Sequence, residues 1–188
     1  NEKARGLVTN KVDVEAILAE DSSVDIPLDP RRRDTIQRIT AAIRSLKDLR
    51  WRYVEGPSGN GRAPLGFANS TGCTSVWAST FPYNPYPFPW VNHLFQDSPS
   101  VAIGIFEGQM RKMADGFINV RRAELELAGK YDAEKHEAEF ASFDYKLFND
   151  DEFAMCPPIM AVGGDGAMMD IGFQNLSRML ASGLPIRA

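Results

Sequence analysis

Cysteine is scarce in this chain. Its 188 residues hold two, Cys73 and Cys156, too few for a disulfide framework, so a reducing cytoplasm is the expected compartment. Histidine is as rare, with His93 and His136 far apart in sequence. No apolar run approaches the roughly 18 to 20 residues that span a bilayer. The opening residues, Asn1 to Gly6, are polar and lack a signal-peptide pattern. An excess of positive charge is missing too: 21 Lys and Arg stand against 25 Asp and Glu, a net charge of −4, which argues against a nucleic-acid surface. Internal repeats and low-complexity tracts are absent. What is present, 44% hydrophobic and 24% charged residues, is the make-up of an ordinary soluble protein with one well-packed domain and an appendage.

Apolar spacing gives the organisation. Val12 to Leu18 is a candidate short helix. Asp29-Pro30 reads as a helix start, and Ile36, Ile39, Ile43, Leu46 and Leu49 continue it to residue 49. Arg31, Arg32 and Arg33 open that helix on the unfavourable side for its dipole, as a solvated or acid-paired face. The expected organisation is therefore a helical segment over 1–50 and a larger unit over 51–188, with a charged helical insertion at 121–151. Gly56-Pro57-Ser58-Gly59-Asn60-Gly61-Arg62-Ala63 approximates a phosphate loop, but Arg62, Ala63 and Pro64 replace the lysine, the hydroxyl and the helix body, so it reads as a surface loop. Leu65 to Asn69 is a candidate strand ending at Ser70-Thr71-Gly72-Cys73. Phe81 to Trp90, dense in proline and aromatics, reads as irregular. Ser98-Pro99 starts a second helix, in which Gly104 and Gly108 are expected to permit close packing. Gly183 ends the last helix, and Leu184-Pro185-Ile186 reads as entry to another strand. A sheet that breaks off there suggests a piece of a longer polypeptide.

One acidic residue stands out. Pro157 to Val162 is an apolar run that breaks into Gly163-Gly164-Asp165-Gly166, and Met168 to Leu180 then has helical spacing. That order holds the Asp165 carboxylate at the carboxyl end of a buried strand, where α/β sheets bind ligands. The flanking glycines let backbone come close to a phosphate. Mg²⁺ suits such a place, since it binds through one or two carboxylates plus phosphate oxygens. Asp170 is expected to cap the helix of residues 171–182.

Two separated stretches together resemble a known family. Ala68-Asn69-Ser70-Thr71-Gly72-Cys73-Thr74-Ser75-Val76-Trp77 is similar to the Ala-Thr-Gly-Cys segment of pyruvate:ferredoxin oxidoreductases and their 2-oxoacid relatives. Phe81-Pro82-Tyr83 and the run Pro89-Trp90-Val91-Asn92-His93-Leu94-Phe95-Gln96-Asp97 resemble the continuation of that segment. Gly163-Gly164-Asp165-Gly166, Asp170-Ile171-Gly172 and Leu180-Ala181-Ser182-Gly183 resemble the family's thiamine diphosphate motif and the helix after it. The likeness covers Leu65 to Ala188.

The resemblance implies an α/β thiamine diphosphate fold, a mostly parallel sheet with helices on both faces, here incomplete at its C-terminal end. It implies oxidative decarboxylation of a 2-oxoacid to an acyl-coenzyme A, with electrons passed through iron–sulfur clusters to ferredoxin or flavodoxin. Asp165 would ligate Mg²⁺, and Gly164 and Gly166 would crowd the diphosphate. Thr71 and Gly72 would either reach that diphosphate or shape the turn before Cys73. The resemblance makes Cys73 a ligand of a [4Fe–4S] cluster in the intact enzyme. Such a cluster needs four thiolates, and the family's upstream Cys-x-x-Cys pair is not in this chain. Either those ligands lie elsewhere in the parent protein or this member has lost the cluster. The activating glutamate and the second half of the Mg²⁺ site belong elsewhere as well. No catalytic residue is assigned here, and the isolated chain is expected to be inert. Partners would be the remaining domains or subunits, ferredoxin or flavodoxin, coenzyme A and a second copy in a homo-oligomer, with no nucleic acid and no membrane.

The remaining residues have plainer readings. His93 reads as a packed histidine, His136 and the run Glu134, Lys135, Glu137 and Glu139 as a solvated helix face, and Cys156 as structural. Tyr83, Tyr86, Phe88 and Trp90 read as a subunit contact or a cavity lining. Two other functions compete. Gly-Gly-Asp-Gly also occurs in lipid and NAD kinases, where Thr or Ser follows instead of Ala167-Met168-Met169. A degenerate thiamine-fold scaffold without catalysis is the non-enzymatic alternative.

Overall fold

A computed structural model describes residues 30–72, 74, 88, 90–93 and 96–188. The expected helix at Val12 to Leu18, the Asp29 cap, Cys73, and Tyr83 and Tyr86 lie outside the described residues, as does the side chain of His93. Helices α1 (Pro30–Val54), α2 (Ser98–Leu127), α3 (Ala133–Ala141), α4 (Asp150–Ala154) and α5 (Phe173–Ala181) and strands β1 (Gly66–Ser70), β2 (Trp90–His93), β3 (Ile159–Val162) and β4 (Ile186–Arg187) follow in the described order α1-β1-β2-α2-α3-α4-β3-α5-β4. The chain divides into two compact units, whose described residues fall within 30–59 with 115–143, and within 60–114 with 144–188.

The second unit is α/β. Its four strands are all parallel, in the order β2-β1-β3-β4. Gly66 pairs with Ile159 and Ala68 with Ala161, so these four residues share one face. Ala68, Ile159 and Ala161 form one buried cluster with Ala102, Phe106 and Met110 of α2 and Leu176 and Met179 of α5. Small residues on the strands let α2 come close: a Cβ added to Gly66 would lie 3.2 Å from Ile105 Cγ2. On the opposite face Phe67 packs its ring 6.2 Å from those of Phe88 and Trp90. β2 was not legible beforehand. It is four residues long, follows Pro89 and contains Asn92 and His93, so local composition hides a strand that pairing with β1 creates. β4 begins at Ile186, where a strand entry is expected.

The first unit is helical. Its predicted apolar stripe is real: Ile39 is buried, and Ile39, Ile43 and Leu46 line a cleft of about 190 Å³ with Ala123 and Leu127. α1 runs five residues past the expected end, to Val54. Gly104 and Gly108 face open space in α2, contrary to the expected close packing; the close approach comes at Gly116, where an added Cβ would stand 3.1 Å from Leu49 Cδ1.

Two residues of the charged stretch are tied down, against expectation. His136 is buried, stacked between Tyr131 and Phe140, and its Nδ1 accepts the Asp132 amide at 2.9 Å, which puts the ring hydrogen on Nε2. Glu137 takes a forked pair of 2.8 Å hydrogen bonds from Arg122 and a 2.7 Å bond from the Tyr131 hydroxyl. These bonds hold the Glu137 carboxyl below its ordinary 4.5. A depressed carboxyl contributes stability that is complete above the unfolded value and lost as pH falls through the folded one. Tyr131, raised by the same bond to Glu137, contributes stability that is lost as pH climbs past 10.0. Glu137→Gln is expected to cost about 0.5 kcal/mol at pH 7, because both partners are partly solvated. Denaturant titrations of both proteins at pH 7 and at several values below 4.5 check this: the gap should narrow as pH falls, and a gap that does not narrow contradicts the assignment.

Candidate functional site

Topology makes a switch point at the carboxyl ends of the two central strands, where a crevice is expected. β1 leads on to β2 on one side, and β3 leads on to β4 on the other. The segments leaving the carboxyl ends of β1 and β3, which are neighbours, therefore diverge, and ligands bind at such switch points. Both sequence motifs sit there. Thr71 and Gly72 leave β1, and Gly163 to Gly166 leave β3.

The two segments touch. A Cβ added to Gly163 would lie 3.2 Å from Ser70 Cβ, 3.0 Å from Met168 Cγ and 3.3 Å from Ala167 Cβ, so a side chain here would crowd all three neighbours. One added to Gly164 would lie 3.6 Å from Thr74 Oγ1. Thr74 thus joins the site; a hydroxyl directly after Cys73 was the available signal, and it went unused.

Buried hydroxyls fix the strand ends. Ser70 and Ser98 are both fully buried. The Ser98 amide donates to Ser70 Oγ at 3.2 Å, Ser70 Oγ donates to Ser98 Oγ at 2.7 Å, and Ser98 Oγ donates to the Val162 carbonyl at 3.3 Å. One serine at the start of α2 therefore holds β1 to β3 where the site begins. Sequence reading took Ser98 for a helix start alone. Beside it, Asn92 Oδ1 accepts from Asn69 Nδ2 at 2.9 Å and from Thr71 Oγ1 at 3.4 Å.

Asp165 is exposed and starts the helical turn in right-handed conformation (φ −55, ψ −49), with no side-chain cap bond. Its carboxylate makes no hydrogen bond or ion pair among the described residues, so the fold does not consume it. The helix after it is not continuous. Gly166–Asp170 is one π-helical turn, with the Ile171 amide donating to the Gly166 carbonyl at 3.0 Å, and α5 starts only at Phe173. Gly172, not Asp170, occupies the cap position. A π turn re-aims the chain within a few residues and is frequent at functional sites.

A single carboxylate here, with no three-residue His, Cys, Asp or Glu cluster among the described residues, matches the donor set of Mg²⁺ held largely by phosphate oxygens. Bare glycine backbone beside Asp165 matches a diphosphate. Cys156 is remote in role: its thiol donates to the Glu152 carbonyl at 3.5 Å, and burial pushes it above its ordinary value, which disfavours the thiolate.

No family model matches the chain. Individual proteins do. A probable pyruvate-flavodoxin oxidoreductase of Escherichia coli (strain K12) is 26% identical over 185 residues, covering 79% of this chain and 16% of that protein. The pyruvate synthase subunit PorB of Methanosarcina barkeri is 28% identical over 109 residues, 58% of this chain and 24% of the subunit. The pyruvate:ferredoxin oxidoreductase of Moorella thermoacetica is 26% identical over 154 residues, 62% of this chain and 13% of that protein. The matched stretch is thus less than a quarter of each relative's length. The relatives are oxidoreductases, which disfavours the kinase reading of Gly163 to Gly166. Parallel α/β architecture and the alignments agree: the chain is related to the pyruvate:ferredoxin and pyruvate-flavodoxin oxidoreductase family.

Proposed function

We propose that the chain supplies part of a thiamine diphosphate site in an enzyme that oxidatively decarboxylates a 2-oxoacid, pyruvate by the names of its relatives, to an acyl-coenzyme A. The observation that carries this reading is the approach of Ser70 to Gly163 and of Thr74 to Gly164 at a switch point of the sheet, beside the uncommitted carboxylate of Asp165. Asp165 takes one coordination position of Mg²⁺. Gly164 and Gly166 let backbone amides approach the diphosphate, and Thr71, Gly72 and Thr74 form the opposite wall. Thiamine diphosphate, when bound, would supply a nucleophilic carbon for the keto group and an electron sink for decarboxylation. The protein's part is to anchor the charged tail, so that binding energy holds the reacting end in place.

In the assembled enzyme Cys73 would be one thiolate of a [4Fe–4S] cluster, with its other ligands supplied outside this chain. Electrons would leave to ferredoxin or flavodoxin, the acceptors named in the relatives. The test is calorimetry of Mg²⁺-dependent thiamine diphosphate binding to the assembled enzyme and its Asp165→Ala variant. Losing a direct ligand is expected to weaken binding at least about 100-fold, more than loss of an outer-shell partner. Equal affinity in the variant would sink the assignment of Asp165, and a folded wild type that binds nothing would leave a scaffold.

A further inference from the structure

Gln96 has an unusual backbone and two unusual contacts. It is the sole non-glycine residue with positive φ among those described, at φ 52. A left-handed conformation is costly for a side chain of this shape and persists where the surroundings hold it. Its side-chain Nε2 donates to the Thr71 carbonyl at 2.9 Å in a partly buried position. Its own carbonyl oxygen lies 2.6 Å from where a Cβ on Gly172 would be, so it rests directly on the turn that follows the π-helical residues. One residue between β2 and α2 therefore touches both halves of the crevice, the Thr71–Gly72 turn and the turn after Asp165.

We infer that Gln96 is a positioning residue, clamping the Thr71–Gly72 wall against the Asp165-bearing turn so that both face one ligand. This inference rests on the cofactor reading above. Gln96 touches no reacting atom; it acts through the Thr71 carbonyl and the Gly172 backbone. An amide is the right group for the task. It donates to a carbonyl without bringing a charge toward a diphosphate, whereas a Lys or Arg would compete as an anion ligand and a carboxylate would repel it.

Two substitutions separate clamp from backbone. Gln96→Gly removes the amide and relieves the left-handed strain. Gln96→Met keeps the length and the strain and removes the donor. Affinity for thiamine diphosphate with Mg²⁺ is read by calorimetry on the assembled enzyme, alongside the melting temperature. Both variants are expected to bind about tenfold more weakly, the value of one well-placed hydrogen bond. Gln96→Gly should melt no lower than wild type to within about 2 °C, since the relieved strain offsets the lost bond. Stability and affinity then part company, which a purely structural residue cannot produce. Wild-type affinity in both variants overturns the inference. So does weaker binding matched by an equal loss of stability in both. Absence of binding in the wild type overturns the cofactor reading and takes this inference with it.

Discussion

Gly172→Ala is expected to destabilise the sheet unit by about 3 kcal/mol or more, one of the two largest effects expected of a single substitution in this chain. The reason is space. Gly172 has φ −88 and ψ 0, angles that other residues adopt, so backbone freedom does not require glycine here. A Cβ at this position would lie 1.9 Å from the Ala167 carbonyl oxygen and 2.6 Å from that of Gln96. Both obstacles are main chain, and neither can rotate away as a side-chain tip would. The Ala167 carbonyl belongs to the π-helical turn, and the Gln96 carbonyl to the turn that carries the Thr71 contact. Relief therefore requires moving one wall of the crevice. Hydrogen exchange should show faster exchange in β3 and α5, while α1 amides stay near wild type. Gly104→Ala is the matched control: nothing lies within 4 Å, and a mid-helix glycine replaced by alanine is expected to stabilise by about 0.5–1 kcal/mol. If Gly172→Ala melts like the control, the close packing of this turn is wrong.

The strands of the site were legible where apolar runs met turn residues, at Gly66 to Ser70, Ile159 to Val162 and Ile186. β2 was not, because a short edge strand draws its identity from its neighbour and not from its own composition. Asp165 was legible because a lone acid between glycines at a strand end has few structural uses. Gln96, Thr74 and Ser98 were not, since their importance lies in what they touch across 25 or more residues of chain: Gln96 on Thr71, Thr74 beside Gly164, Ser98 on Ser70 and Val162. The π turn was invisible for a related reason. Met168, Ile171 and Leu176 fit a continuous helical period well enough, yet the chain spends an extra residue at Gly166–Asp170 and restarts at Phe173. His136 shows the opposite failure. Its neighbours Lys135 and Glu137 made the stretch look solvated, while aromatic rings five residues before and four after enclosed it.

Phe106→Ala is the second large effect, and it tests whether the packing beneath the crevice holds the crevice together. Phe106 is 2% exposed and sits in α2 within the cluster of Ala68, Ile159 and Ala161. Its ring meets Tyr145 edge to face, with centroids 5.3 Å apart and planes at 79°. Removing it deletes the largest buried side chain of that cluster, over a face in which Ala68 and Ala161 offer little bulk to close the gap. Truncating a buried phenylalanine costs about 3–5 kcal/mol, and rigid surroundings favour the upper end. Of that loss, about 0.5–1.5 kcal/mol is the edge-to-face contact with Tyr145. Phe106→Leu should recover much of the loss, because it refills the volume without the ring. Urea titrations should therefore rank wild type above Phe106→Leu above Phe106→Ala in midpoint, with slopes alike. α2 begins at Ser98, two turns before Phe106, and Ser98 is the bridge between β1 and β3. A helix loosened at Phe106 would thus be expected to weaken the hydroxyl bridge, raising exchange at the Ser98 amide more than at α1. Equal stability of the alanine and leucine variants would mean that α2 does not rest on this ring, and the crevice would have to be held from the Ser98 end alone.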